Sequence, residues 1–162
     1  MAELMTANDR RTHYCGTVRE SDIGNQVCVM GWVQKQRDLG NLIFIDLRDR
    51  TGIVQLAFDD KTAPELFKEA FTVRSEFVIC AKGVVRPRGE GAVNKNIPTG
   101  MIEIAVHEMK ILAAAQTPPF EIVENSNVNA ELRLKHRYLD LRRPDMQRNI
   151  LARSEITNIA RN

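Results

Sequence analysis

GWVQKQRDLGNLIFIDLRDRTGIVQLAF, residues 31–58, alternates apolar and polar side chains about the centre Leu42-Ile43-Phe44-Ile45-Asp46-Leu47-Arg48. Successive side chains of a strand leave its two faces in turn. A strand here carries Ile43, Ile45 and Leu47 on an apolar face, with Phe44, Asp46 and Arg48 on the other. The next run, residues 53–58, sends Val54, Leu56 and Phe58 inward and Gln55 outward. The link Asp49-Arg50-Thr51-Gly52 is short and holds a glycine, so a hairpin joins the two strands and puts Gln55 on the Phe44 side. A ring beside an amide and a guanidinium on a solvated sheet face suits unpaired bases: they stack on the ring while side chains read their edges. The alternative makes Phe44 a second-face core residue covered by a loop.

Outward from the hairpin the pattern repeats. Residues 26–36 predict a first strand, with Val27, Val29 and Val33 alternating with Cys28, Met30 and Trp32, and Gly31 marking a bulge or bend. Between Thr62 and Val73 the period becomes helical (Leu66, Phe67, Ala70, Phe71, Val73), with Pro64 near the start where a helix tolerates it. Strand pattern returns at residues 77–86, with Gly83 a second bend, and at 101–112, where Ile102, Ile104 and Val106 alternate with Glu103, Ala105 and His107. Glu103 therefore points away from the core. Three strands, a helix and two strands are the layout of an OB-fold: a mainly β, five-stranded Greek-key barrel with one helix between strands 3 and 4. In that fold the face of strands 2 and 3 is the usual oligonucleotide site, and Phe44 and Gln55 fall on it.

Around this barrel, at residues 13–115, the flanks differ. Residues 1–12 lack the apolar core of a signal peptide and read as a flexible extension. Residues 116–144 hold Pro118-Pro119 and Asn125-Ser126-Asn127 and read as a hinge or linker. Residues 145–162 read as a helix capped by Asp145, and the chain ends in mid-pattern, as a truncated piece would.

The 162 residues are 43% hydrophobic and 27% charged, the balance of a soluble globular protein without an apolar run of the roughly 20 residues that span a bilayer. Three cysteines without metal-ligand spacing, two of them in apolar strand-like runs, point to buried reduced thiols and a cytoplasmic setting. The three histidines are scattered, so no His/Cys metal site is expected. Residues 1–129 carry 15 Lys/Arg against 17 Asp/Glu, whereas residues 130–162 carry 8 against 4. That C-terminal excess fits either a phosphate-facing segment or a solvated helix surface.

Two strings, residues 31–56 and LRLKHRYLDLRRPDMQRN at 132–149, together resemble the bacterial-type aspartyl-tRNA synthetases. The resemblance implies an N-terminal OB domain that binds the anticodon loop of aspartate tRNA, then a hinge, then the first helix of a class II catalytic domain. On it, Phe44 matches the aromatic under the middle anticodon base, Gln55 and Glu103 match side chains that read anticodon bases, and Arg37 matches a basic residue on the anticodon loop. Arg86, Arg88, Asn94, Asn96, Arg142 and Arg143 become candidate RNA-backbone contacts. Gln34-Lys35-Gln36 departs from an arginine-rich run in the family, and the 86–100 loop departs in shape. The catalytic motifs lie outside the chain. The resemblance thus implies no catalytic residue, metal or cofactor here, and ATP with Mg2+ in a homodimeric full-length aspartate–tRNA ligase. The piece itself is expected to be an inactive monomer. The rivals are an OB module that binds any single strand and an OB domain that binds protein.

Overall fold

The 43–58 hairpin forms as its alternation requires. β2 (Ile43–Asp49) and β3 (Gly52–Phe58) pair antiparallel from Ile43 opposite Phe58 to Asp49 opposite Gly52, leaving Arg50-Thr51 as the turn. Ile43, Ile45, Leu47, Val54, Leu56 and Phe58 are all fully buried. A slip of one residue would turn this set to water at about 1.5–3 kcal/mol per side chain, which pins the register. Asp49 fixes the turn: Oδ1 accepts from the Thr51 amide and hydroxyl, both at 2.7 Å, and Oδ2 from the Cys15 amide at 2.7 Å. Gly16 lies against this turn, where a Cβ would come within 2.2 Å of the Thr51 carbonyl oxygen.

The computed structural model describes residues 5, 6 and 9–162. β1 (Gln26–Asp38), β2, β3, α1 (Pro64–Thr72), β4 (Val78–Pro87) and β5 (Ile102–Ala113) follow in chain order. The sheet closes in the order β1-β2-β3-β5-β4, with β3 and β5 parallel and the other pairs antiparallel. The expected OB barrel and its helix between strands 3 and 4 are therefore present, with element ends moved by one or two residues. Leu66 and Ala70 of α1 join the barrel core, while Phe71, expected on the same face, is 52% exposed. Gln36 donates to the Ala70 and Phe71 carbonyls at 2.9 and 3.2 Å, satisfying the free end of the helix.

The glycine expectations divide. Gly83 sits at a register shift between β4 and β5. The shift in β1 lies between Val33 and Lys35 rather than at Gly31; a Cβ on Gly31 would instead come within 2.4 Å of the Arg48 carbonyl oxygen, so the glycine serves close strand approach. Cys28 and Cys80 are buried free thiols with sulfurs 3.6 Å apart, and Cys15 is likewise free and buried.

The expectation of a flexible residue 1–12 extension needs correction at its described part; residues 1–4, 7 and 8 lie outside the described residues. Asp9 is 2% exposed and pairs with Lys82 of β4 at 2.9 Å and Lys110 of β5 at 2.8 Å. Thr12 donates its amide to the Cys28 carbonyl at 2.9 Å, and its hydroxyl accepts from the Cys28 amide at 2.8 Å.

The chain divides into two compact units, Met1–Thr117 and Pro118–Asn162. In the second, the stretch expected to be plain linker has structure of its own: α2 (Ala130–Lys135) and α3 (Arg137–Asp140), around a small core of Phe120, Ile122 and Leu139. Asp140 is fully buried and accepts from Arg133 at 2.7 Å, Arg137 at 2.5 Å and Arg143 at 3.1 Å. α4 (Pro144–Arg161) starts with proline in its first turn and Arg143 as the preceding residue. Asp145 is thus inside the helix rather than its cap, and accepts from Arg143 at 2.6 Å. No described helix is long and apolar enough to cross a membrane.

Candidate nucleic-acid interface

The outer face of the barrel gathers the side chains that the alternation turned away from the core. Asp46 lies opposite Gln55 across β2–β3, and Arg37 opposite Phe44 across β1–β2. The parallel β3–β5 register, with Leu56 opposite Ile104, brings Glu103 beside Gln55. Arg86 faces Glu103 directly across β4–β5. Five strands thus converge on one patch.

Hydrogen bonds run through this patch without a break. Arg37 Nη2 donates to Asp46 Oδ1 at 2.9 Å and to Gln55 Oε1 at 3.0 Å. Gln55 Nε2 donates to Glu103 Oε2 at 2.9 Å. Glu103 Oε1 accepts from Arg86 Nε at 2.8 Å, and Arg86 Nη1 donates to Asp59 Oδ2 at 2.7 Å. Charge alternates along the chain from Asp46 through Arg37, Glu103 and Arg86 to Asp59, so each ion stands beside its opposite.

Gln55 and Glu103 face outward as the alternation requires, but they are not open to water. Gln55 is 4% exposed and Glu103 7%, because Arg37, Arg86 and each other cover them. Both ends of the Gln55 amide are in use. Arg37 stands near the end of β1, and its side chain is 42% exposed, which leaves it the most accessible cation of the network. Phe44 is half-buried, with the Arg37 guanidinium 5.7 Å from its ring centroid.

The candidate backbone contacts fare differently. Arg86 has two of its donors on carboxylates. Burial alone would lower its pKa, but Asp59 and Glu103 raise it above the ordinary arginine value. Burial would likewise raise the Asp59 carboxyl, and Arg86 with the Lys61 amide holds it below the usual range. Arg88 is 8% exposed and donates Nε to the Ile102 carbonyl at 2.8 Å, while its Nη2 is buried without a hydrogen-bond partner among the described residues. Burial pushes its pKa down against the pull of Glu103 and Asp46. Asn94 and Asn96 form one turn, the Asn96 amide donating to Asn94 Oδ1 at 3.0 Å, with Asn96 exposed and Asn94 half-buried. Gly100 closes this loop, since a Cβ there would come within 1.7 Å of the Asn94 carbonyl oxygen. Arg142 and Arg143 belong to the second unit, where Arg143 is 3% exposed and bound to Asp140, Asp145 and the Val123 carbonyl.

Two members of the network were not among the sequence candidates. Asp46 stands at an outward position of the opening alternation, so its face was legible though its partner was not. Asp59 follows the last strand residue, Phe58, and its signal is turn chemistry: Oδ1 accepts from the Lys61 amide and its own amide donates to the Thr62 hydroxyl, both at 3.0 Å.

Known proteins give this geometry a context. The chain is 57% identical over 151 residues to the aspartate–tRNA ligase of Ruminiclostridium cellulolyticum, covering 93% of this chain and 25% of that protein. It is 50% identical over 153 residues to the aspartate–tRNA(Asp/Asn) ligase of Syntrophotalea carbinolica, covering 94% of this chain and 26% of that one. Among solved structures, asparaginyl-tRNA synthetase from Pyrococcus horikoshii complexed with asparaginyl-adenylate superposes with a TM-score of 0.69 at 30% identity, over 83% of this chain and 29% of that chain. The chain spans about a quarter of the length of the curated relatives it matches. Residues 27–112 match the family described as OB-fold nucleic acid binding domain. That stretch runs from β1 almost to the end of β5 and takes in more than half of the chain, which therefore belongs to the OB-fold nucleic acid binding domains.

Proposed function

We propose that this chain is the anticodon-binding part of an aspartate–tRNA ligase, and that the outer face around Phe44 takes the anticodon loop of aspartate tRNA. The observation that carries the reading is the convergence of Phe44, Arg37, Gln55 and Glu103 on one barrel face, supported by 57% identity to an aspartate–tRNA ligase along nearly the whole chain. The loop opens over the barrel and its middle base stacks on Phe44, an interaction worth about 1–3 kcal/mol. Arg37, the exposed cation, leaves the ring and the Gln55 carbonyl for a phosphate. Gln55 then offers both a donor and an acceptor to a base edge, and Glu103 offers only acceptors. Glu103 also rejects base edges that lack a donor, because two acceptors repel.

In the backbone set, Asn96 and the loop that Gly100 closes stand exposed and contribute positioning without sequence choice. Arg88 offers a buried donor. Arg142 contributes from the second unit, whereas Arg143 is engaged in holding Asp140. The full-length protein is proposed to be a cytoplasmic homodimer that attaches aspartate with ATP and Mg2+, the piece alone being an inactive monomer. No step through ATP or Mg2+ is assigned to this chain.

The test is binding of the chain to an anticodon stem-loop carrying GUC, against loops changed at one anticodon base each, at two salt concentrations. The GUC loop should bind tightest, with a change of the middle base weakening it about tenfold. Every loop should lose affinity similarly with salt, since phosphate contacts carry that dependence. Equal binding to all loops would leave an OB module for any single strand.

A further inference from the structure

We propose that Asp59 is a positioning residue for base discrimination by Glu103, acting through Arg86. The proposal rests on the anticodon reading above and adds to it a residue that touches no base. To recognise a base, Glu103 has to present a lone pair while remaining fixed and ionised. Its two oxygens have different neighbours: Oε2 accepts from the Gln55 amide and Oε1 from Arg86 Nε. Arg86 decides how much of the carboxylate stays available. A guanidinium can meet a carboxylate through two parallel N–H bonds, and such a bidentate pair would occupy both oxygens.

Asp59 restrains this from the opposite edge. The edge that could grip Glu103 with two bonds is Nε with Nη2, and the structure bonds Glu103 through Nε; Asp59 Oδ2 takes Nη1 at 2.7 Å on the other edge and holds the guanidinium in that single-bond pose. Asp59 is itself rigid. It follows the fully buried Phe58 at the end of β3, its Oδ1 closes a turn onto the Lys61 amide, and its own amide is tied to Thr62. The Asp59 side chain is 15% exposed and that of Glu103 9%, so solvent screens this arrangement little. Without the Asp59 charge, Arg86 has one anionic neighbour and turns fully onto it.

The experiment measures binding of GUC stem-loops, each changed at one anticodon position, to the whole chain and to its Glu103→Gln, Asp59→Asn, Asp59→Glu and Arg86→Lys variants, with Tm for each. Asn keeps the turn to Lys61 and removes the charge; Lys keeps the cation but replaces the planar guanidinium, whose Nε and Nη1 stand on opposite edges, with a single ammonium point. Glu103→Gln identifies the position that Glu103 reads. Asp59→Asn and Arg86→Lys should then lose discrimination at that same position by about tenfold. Middle-base preference should be kept in both, and Asp59→Glu should recover much of the loss. The proposal is overturned if Asp59→Asn and Arg86→Lys keep full discrimination where Glu103→Gln loses it. It is also overturned if they weaken every loop equally alongside a fall in Tm. A wild-type chain that discriminates at no position would refute the anticodon reading, and this proposal with it.

Discussion

The guanidinium of Arg37 lies 5.7 Å from the centroid of the Phe44 ring, and the same side chain bonds Asp46 and Gln55. In the free protein a cation thus sits at the ring proposed for a base. Arg37 and the RNA compete for that ring, and Arg37 is also the cation best placed to follow a phosphate.

The two roles of Arg37 are separable by salt. Replacing it with alanine should weaken binding of the stem-loop at low salt and reduce the slope of log K against log salt by about 0.7–0.9, one phosphate contact's worth. Its half-exposed pair with Asp46 should matter little to folding, about 1 kcal/mol or less. Isotherms at several salt concentrations and a thermal melt check both halves. An unchanged slope would remove Arg37 from the RNA contacts.

Arg48 shares the outward alternation of β2 but has a different task. Its Nη2 meets both Glu76 oxygens, at 2.9 and 3.1 Å, and Glu76 is 7% exposed with a positive φ of 66°. The Glu76 amide is tied to the Val33 carbonyl at 2.7 Å. Glu76→Ala removes this partner from Arg48, whose side chain is 14% exposed, and should destabilise the barrel by about 1–3 kcal/mol in urea unfolding. Discrimination among loops should be unchanged at temperatures where the variant is folded.

Asp9 gives the barrel an acid limit. The Lys110 ammonium, the Thr6 amide and the Lys82 ammonium hold its carboxyl well below the usual carboxylate range. The unfolded chain, with an aspartate pKa of about 3.9, takes up the proton first. The stabilisation is therefore complete above about pH 5 and is lost as pH falls below about 4. In melts across pH, the gap between the wild type and Asp9→Asn should be constant in the neutral range and narrow below about pH 4.

Much of this structure was legible because its causes are local. The alternation at 43–58 sets two strands and their register, and the change to helical period at 62–73 sets α1. The direction of Gln55 and Glu103 followed from parity alone. Their burial did not, because it depends on Arg37, 18 residues away from Gln55, and on Arg86 arriving from another strand. Asp9 reads as part of a polar tail until Lys110, 101 residues later, closes on it. The same holds for residues 116–144, where prolines and asparagines signal a linker while Phe120, Ile122 and Leu139 form a core only once folded together. Period identifies faces; partners across the barrel decide which outward side chains remain open.

The most direct measurement is a double-mutant cycle between Phe44 and the middle base of the GUC loop. The wild-type chain and Phe44→Ala would each be titrated with the intact stem-loop and with one that carries an abasic middle position. If the base stacks on the ring, each single change should weaken binding by about tenfold, and the two together should cost no more than either alone. Losses that simply add, or no loss with Phe44→Ala, would contradict the placement of the middle base on Phe44.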